Sequence, residues 1–192
     1  MEYIIIIIGS VLVSNIVLAN FLGICPFLGV SGKISTAAGM SGAVLFVMTV
    51  AAIVTWLIQN YILDPFNLGF LQTISFILVI ASLVQVVEII LKKVSPPLYQ
   101  ALGVFLPLIT TNCAIMGVAL LVGQRNYNLL EGTVYAIGNS IGFALALVLF
   151  AGLREHLELM EVPKGMRGMP IALIVAGILS MAFFGFAGLV DF

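Results

Sequence analysis

The chain has 192 residues, of which 62% are hydrophobic and only 8% charged, with a formal net charge of −1. A soluble domain carries roughly 25% charged residues, so this composition excludes a water-solvated globule and marks an integral membrane protein whose solvent is the lipid bilayer. The near-neutral balance and the lack of a basic cluster in the sequence argue against nucleic acid or a polybasic lipid-binding tail.

Apolar runs separated by charge or turn signals predict six membrane helices, over 3–24, 39–60, 70–91, 98–122, 131–153 and 169–190. The first lies in an uncharged run from Tyr3 to Gly32 that lacks the basic start and small-residue cleavage site of a secretory signal, so it is expected to be a retained transmembrane segment. Thirty residues of straight helix would reach about 45 Å, against a hydrocarbon core of about 30 Å. The run contains Gly23, Cys25, Pro26 and Gly29, so a break is expected at the cysteine. Asp64-Pro65-Phe66-Asn67 ends the second helix, and Lys92-Lys93 with Pro96-Pro97 ends the third.

The third helix carries Glu88. Intramembrane carboxylates are functional by default, but Lys92 stands four residues later, in the favoured order for an ion pair, so an interfacial, paired Glu88 is expected. The fourth helix repeats the problem of the first: the uncharged run from Val94 to Gln124 is too long for one span and contains Pro107, Asn112, Cys113 and Gly117. The fifth and sixth flank a polar loop from Arg154 to Pro170. Its alternating signs suit either a docking surface for a cytoplasmic subunit or a merely solvated loop. Tyr3, Trp56, Tyr61, Tyr99 and Tyr127 fall near predicted span ends and read as interface anchors.

Basic residues set the expected orientation. With the N-terminus outside, the inner loops hold Lys33, Lys92, Lys93, Arg154, Lys164 and Arg167, and the outer loops hold only Arg125. Both termini are therefore expected on the outer face.

The cysteines lie 88 residues apart, close to half the chain, and share the pattern Cys-x3-Gly-Val in CPFLGV and CAIMGV. Asn20 precedes the first by five residues and Asn112 the second by one. Three spans per half force the second half to enter the membrane from the opposite side, so the expected architecture is all-α. It is a single membrane domain, 1–192, of two inverted three-helix repeats (about 1–94 and 95–192) with helices 1 and 4 broken. Such repeats place a shared site near the bilayer midplane. Straight helices would hold the two thiols apart, whereas unwound or re-entrant halves would bring them together; the second arrangement is expected.

A free cysteine is commonly a small buried hydrophobe, and a disulfide is a further option. The repeat context points instead to metal, because a break at each cysteine frees backbone N–H groups for thiolate sulfur. Two thiolates do not complete a site, since zinc and iron–sulfur centres usually take four protein ligands. His156, the only histidine, sits in the polar loop, and Met40, Met48 and Met116 read as packing residues. A metal site would therefore need a second chain. An electron carrier across a low-dielectric membrane needs intermediate centres, which favours an iron–sulfur cluster over structural zinc. Asn15, Asn20, Thr110, Thr111, Asn112 and Asn139 would soften the cluster's surroundings or line an ion path, with interhelical hydrogen bonding as their commoner role.

At these residues the sequence resembles a known family. The stretches VLVSNIVLANFLGICPFLGVSGK (11–33) and ALGVFLPLITTNCAIMGVALL (101–121), with the loop REHLELMEVPKGMRGMPIALI (154–174), resemble the A subunit of the Rnf (also Rsx) ion-translocating ferredoxin:NAD oxidoreductase complexes. The likeness covers essentially the whole chain and extends to the Rnf E subunit and to the D and E subunits of the sodium-translocating NADH:quinone reductase. The resemblance implies a subunit that is not catalytic alone, in the cytoplasmic membrane of a bacterium or archaeon. It implies pairing with the homologous E subunit and assembly with other Rnf subunits. It also implies that Cys25 and Cys113 supply two of the four ligands of an intramembrane [2Fe–2S] cluster that relays electrons, coupled to Na⁺ or H⁺ translocation. The sequence has no Gly-rich nucleotide loop, flavin-attachment motif or CxxC run, consistent with flavin and NAD sites on other subunits. The alternatives are the equivalent quinone-reductase subunit, an inverted-repeat solute or ion transporter, and a structural subunit with inert cysteines.

Overall fold

A computed structural model of the chain describes residues 2–66, 69–94, 100, 106–160, 163 and 165–186. Among the described residues the chain is all-helical, with no strand. Helix α1 (Glu2–Ile8) runs into a π-helical turn at Gly9–Val13, and an irregular stretch then leads to the short α2 (Ile24–Gly29). Helix α3 (Ile34–Ile58) continues through a second π turn, Gln59–Leu63, to Phe66, and α4 (Gln72–Val94) follows. A five-residue α5 (Leu106–Thr110) precedes α6 (Cys113–Gln124), α7 (Leu129–Glu158) and α8 (Met169–Phe184).

Four helical stretches are long and apolar enough to cross a membrane: Ile34–Phe66, Gly69–Ile90, Pro107–Gln124 and Leu129–Glu158. Tyr3–Val13 and Met169–Phe184 are apolar but shorter. Residues 95–99 and 101–105, which carry Tyr99 and the start of the fourth predicted span, lie outside the described residues, as does Lys164.

Local chemistry explains the helix ends. The Asn128 N–H donates to Glu131 Oε2 at 3.0 Å, the return half of a capping box that starts α7. Proline occupies the first turn of α8, where its missing N–H leaves no hydrogen bond unmade. Several boundaries differ from the sequence expectation: the first predicted span gives way at Ser14, and the second is helical from Ile34 to Phe66. Helix α7 does not stop at 153 but runs to Glu158, so Arg154 and His156 are helical rather than loop residues. The physical reason is that Arg-Glu-His-Leu-Glu contains good helix formers and no breaker before Pro163, so the helix persists as its sequence turns polar. Glu88 is half-buried on α4, one turn before Lys92.

Helices α3 and α7 form the most extensive pairing, burying Met40 and Met48 of one with Phe143 and Phe150 of the other in one apolar core. Lipid is as apolar as leucine, so this packing rests on close approach of small residues rather than on escape from water. The approach is close where α1 and its π turn cross α7. A Cβ at Gly138 would collide with Ser10 Oγ and stand 3.5 Å from the Ile7 Cα. Gly138→Val is therefore expected to cost about 1–3 kcal/mol through overpacking. The check is the thermal unfolding midpoint of the detergent-solubilised complex; an unshifted midpoint contradicts the close contact.

Candidate functional site

Two helix breaks meet in the interior. The first runs from Ser14 to Gly23 and is organised by Asn15, which is fully buried. Its Nδ2 donates to the carbonyls of Val11 (3.1 Å) and Gly142 (2.9 Å), and its Oδ1 accepts from the N–H groups of Val17 (3.1 Å) and Leu18 (3.3 Å). The Ser180 hydroxyl donates to the Leu18 carbonyl at 2.7 Å, and the Leu22 N–H to the Ile16 carbonyl at 3.0 Å. Non-helical backbone at membrane depth survives only when its polar groups find partners inside the protein, and here one side chain takes two of its N–H groups and ties the break to α7. Asn15→Leu is accordingly expected to destabilise the protein by about 2 kcal/mol or more, because orphaned buried backbone groups cost about 1–3 kcal/mol each. Thermal unfolding of the variant measures this, and a shift no larger than that of an exposed substitution such as Asn20→Ala would refute it.

The second break is shorter. Thr111 and Asn112 separate α5 from α6, and Asn112, 3% exposed, caps α6 by accepting the Ala114 N–H at 3.0 Å on Oδ1. The Asn112 Nδ2 is buried without a partner among the described residues. Cys113 opens α6, and Cys25 is the second residue of α2, so each cysteine stands in the first turn of a half-helix that follows a break.

One hydrogen bond links the breaks. The Gly23 N–H donates to Cys113 Sγ at 2.8 Å, joining residues 90 positions apart. Gly23 is held at φ +84°, and Phe143, Ala114 and Asn112 crowd the place where a Cβ would stand. Both stretches are thus broken, and a freed backbone N–H reaches the sulfur of Cys113.

The thiols are not buried packing groups. Both are free, Cys25 exposed and Cys113 half-buried. Cys113 opens onto a groove of about 460 Å³ that it lines with Asn20, Leu22, Met116 and Gly117. Exposure at the protein surface argues against the reading of small hydrophobes filling a core. Among the described residues no three His, Cys, Asp or Glu side chains gather as a metal-binding group. His156 is exposed in the last turn of α7; Met40 and Met48 are fully buried, whereas Met116 lies beside Cys113 in the groove. Asn139 is buried, donating to the Tyr135 carbonyl at 2.9 Å, and Trp56 Nε1 donates to the Tyr127 carbonyl at 2.9 Å.

Three contributors are not evident from the sequence alone. Asn15, rather than Asn20, organises the first break; its signal is a polar amide ten residues before the cysteine in an otherwise apolar stretch. Phe143 walls Gly23, and Arg154 reaches back from α7 to α2. Neither carries a local motif.

The donor set suits an iron–sulfur cluster shared with another chain. Two soft thiols lie at the surface, one already accepting a backbone N–H, beside an orphaned buried amide donor.

Comparison with known proteins agrees in kind. The family described as "Rnf-Nqr subunit, membrane protein" matches residues 3–190. The A subunit of an "Ion-translocating oxidoreductase complex" of Syntrophotalea carbinolica is 62% identical over 185 residues, covering 96% of each chain. The A subunit of the "Na(+)-translocating ferredoxin:NAD(+) oxidoreductase complex" of Acetobacterium woodii is 58% identical over 189 residues, covering 98% of each. A third relative, from Pseudoalteromonas translucida and of the same description as the first, is 54% identical over 191 residues, covering 100% of this chain and 99% of its own.

Proposed function

Because the chain belongs to the Rnf-Nqr family of membrane subunits, we propose that it is the A subunit of an ion-translocating ferredoxin:NAD oxidoreductase complex and relays electrons through the membrane. Cys25 and Cys113 hold one side of a [2Fe–2S] cluster, and a homologous chain, the Rnf E subunit, supplies the other two cysteines. The chain is a multi-pass subunit of a redox complex and makes no product alone. The observation that carries this reading is the Gly23 N–H on Cys113 Sγ, which joins the two cysteine-bearing breaks and leaves both thiols free.

The arrangement is read as six spans in two inverted halves, about 1–94 and 95–192, with α1–α2 and α5–α6 as the broken pair. Both termini face outward across the cytoplasmic membrane, following the placement of basic residues. The two asparagines that brace the breaks support a common role for the halves.

When bound, the cluster supplies a one-electron carrier between the two membrane faces, which no side chain of this chain offers. The chain's own residues hold and tune it. Cys25 and Cys113 anchor it from half-helices fixed to the same core. The Gly23 N–H stabilises negative charge on Cys113 sulfur, and hydrogen bonds to cluster sulfurs raise the reduction potential. Asn112 Nδ2 is a second donor with no partner among the described residues. Leu22, Ala114 and Phe143 give the junction apolar neighbours.

The test is the iron and acid-labile sulfide content of this chain co-expressed and purified with its homologous partner chain. Two irons and two sulfides per pair are expected; a colourless pair free of iron would defeat the proposal. Transport of an ion by the isolated chain in liposomes would favour the transporter instead.

A further inference from the structure

The half-helix that presents Cys25 has only six residues, Ile24–Gly29, far below the length of about 12–15 at which a helix holds itself together in isolation. Its carbonyls near the C-terminal end lack intrahelical partners. Helix α7 grips that end from outside in two ways. Phe27 stacks on Phe150 with ring centroids 4.2 Å apart and planes 13° from parallel. One turn further along α7, Arg154 Nη1 donates to the Leu28 carbonyl at 2.9 Å and to Ser31 Oγ at 2.8 Å. The Arg154 guanidinium also lies 6.0 Å from the centre of the Phe150 ring, so stack and clamp form one unit. Both hydrogen-bond partners are neutral oxygens, and neither cancels the positive charge. Leu28 is one turn from Cys25 on the same half-helix.

We infer that Arg154 is a positioning residue for the electron relay: by pinning the Leu28 carbonyl and Ser31 it fixes the half-helix that presents Cys25, and its charge favours the reduced state of a centre held there. This rests on the cluster reading above. A guanidinium suits the role because it stays charged, and its planar head both donates and lies against a ring. Cys113 stands on a different element with its own cap, so the effect should be confined to the first break.

The experiment uses the assembled complex carrying Arg154→Gln, with two readouts. Hydrogen–deuterium exchange across residues 24–31 should rise at least about fivefold, with residues 113–124 unchanged, because losing the clamp makes local opening easier. An EPR-monitored redox titration should show iron retained but the midpoint potential lowered. Arg154→Lys, which keeps the charge and can reach the same oxygens, should recover part of both. If Arg154→Gln fails to assemble, Ser31→Ala removes one clamp contact and leaves the charge in place; it should give a smaller exchange rise in the same segment. Unchanged exchange overturns the clamp, and raised exchange at an unchanged potential reduces Arg154 to a structural residue and overturns the inference. A wild-type complex without an iron signal defeats the cluster reading separately, whereas the exchange result still decides whether Arg154 holds the half-helix.

Discussion

Replacing Cys25 or Cys113 by serine is expected to abolish the iron signal of the purified complex and to lower ferredoxin-to-NAD electron flow at least about a hundredfold. Loss of an outer-shell partner alone costs about 10- to 100-fold in metal affinity or activity, and these residues are proposed as ligands. The expectation is selective rather than destructive. Cys25 is exposed and Cys113 half-buried, so neither substitution opens a core cavity. At position 113 the serine oxygen can still accept the Gly23 N–H, so the junction between the breaks should survive. What is lost is softness: a hard hydroxyl oxygen is a poor substitute for thiolate at iron–sulfide. Iron content, the EPR signal and turnover of the assembled complex are the measurements. A full signal with intact assembly in both variants would leave a structural subunit with inert cysteines, and the electron relay would be gone.

The membrane character and the places where helices give way were legible because both follow from lengths and single residues. An uncharged run too long for the bilayer has to tilt or break; Gly23 marks the end of the first break, whereas Pro26 and Pro107 lie inside the short helices α2 and α5. The sequence could not locate the break to the residue. The first helix gives way at Ser14, before the glycine and proline signals, because Asn15 captures two backbone N–H groups and the Gly142 carbonyl from a helix 127 residues away. That partner has no local trace. Arg154 shows the same limit from the other side. Counted among loop charges, it reads as an orientation signal, yet it lies on α7 and reaches Leu28 across 126 residues. Charge is visible in a sequence, but its partner is a property of packing. The meeting of the two breaks is of this kind too. Equal spacing and shared Cys-x3-Gly-Val suggested convergence; only the packing of Leu22 against Gly117 and of Gly23 against Ala114 gives it contacts.

Gly23→Ala is expected to show how far the relay depends on that junction. At φ +84° a Cβ meets its own backbone, and the left-handed conformation costs a non-glycine residue roughly 1–2 kcal/mol. Crowding adds to this. The new methyl would lie 2.9 Å from Phe143 Cε2, 3.1 Å from Ala114 Cβ and 3.3 Å from Asn112 Oδ1. Ala114 and Asn112 flank Cys113, so relief of the clash moves the first break away from the sulfur and stretches the 2.8 Å N–H···S contact. The summed cost should be about 2–4 kcal/mol, combining the conformational penalty with the lower range for overpacking. It should appear as a lowered unfolding midpoint of the complex, and as a lowered reduction potential wherever the cluster is retained, since the sulfur loses its hydrogen bond. The two contributions are separable. Trimming the facing ring in Gly23→Ala/Phe143→Leu makes room for the methyl but does nothing for φ, so the double variant should fall short of additivity without reaching wild-type stability. Strict additivity would mean that Phe143 never pressed on Gly23. A normal potential in the single variant would mean that the glycine amide does not tune the centre, even if it shapes the fold.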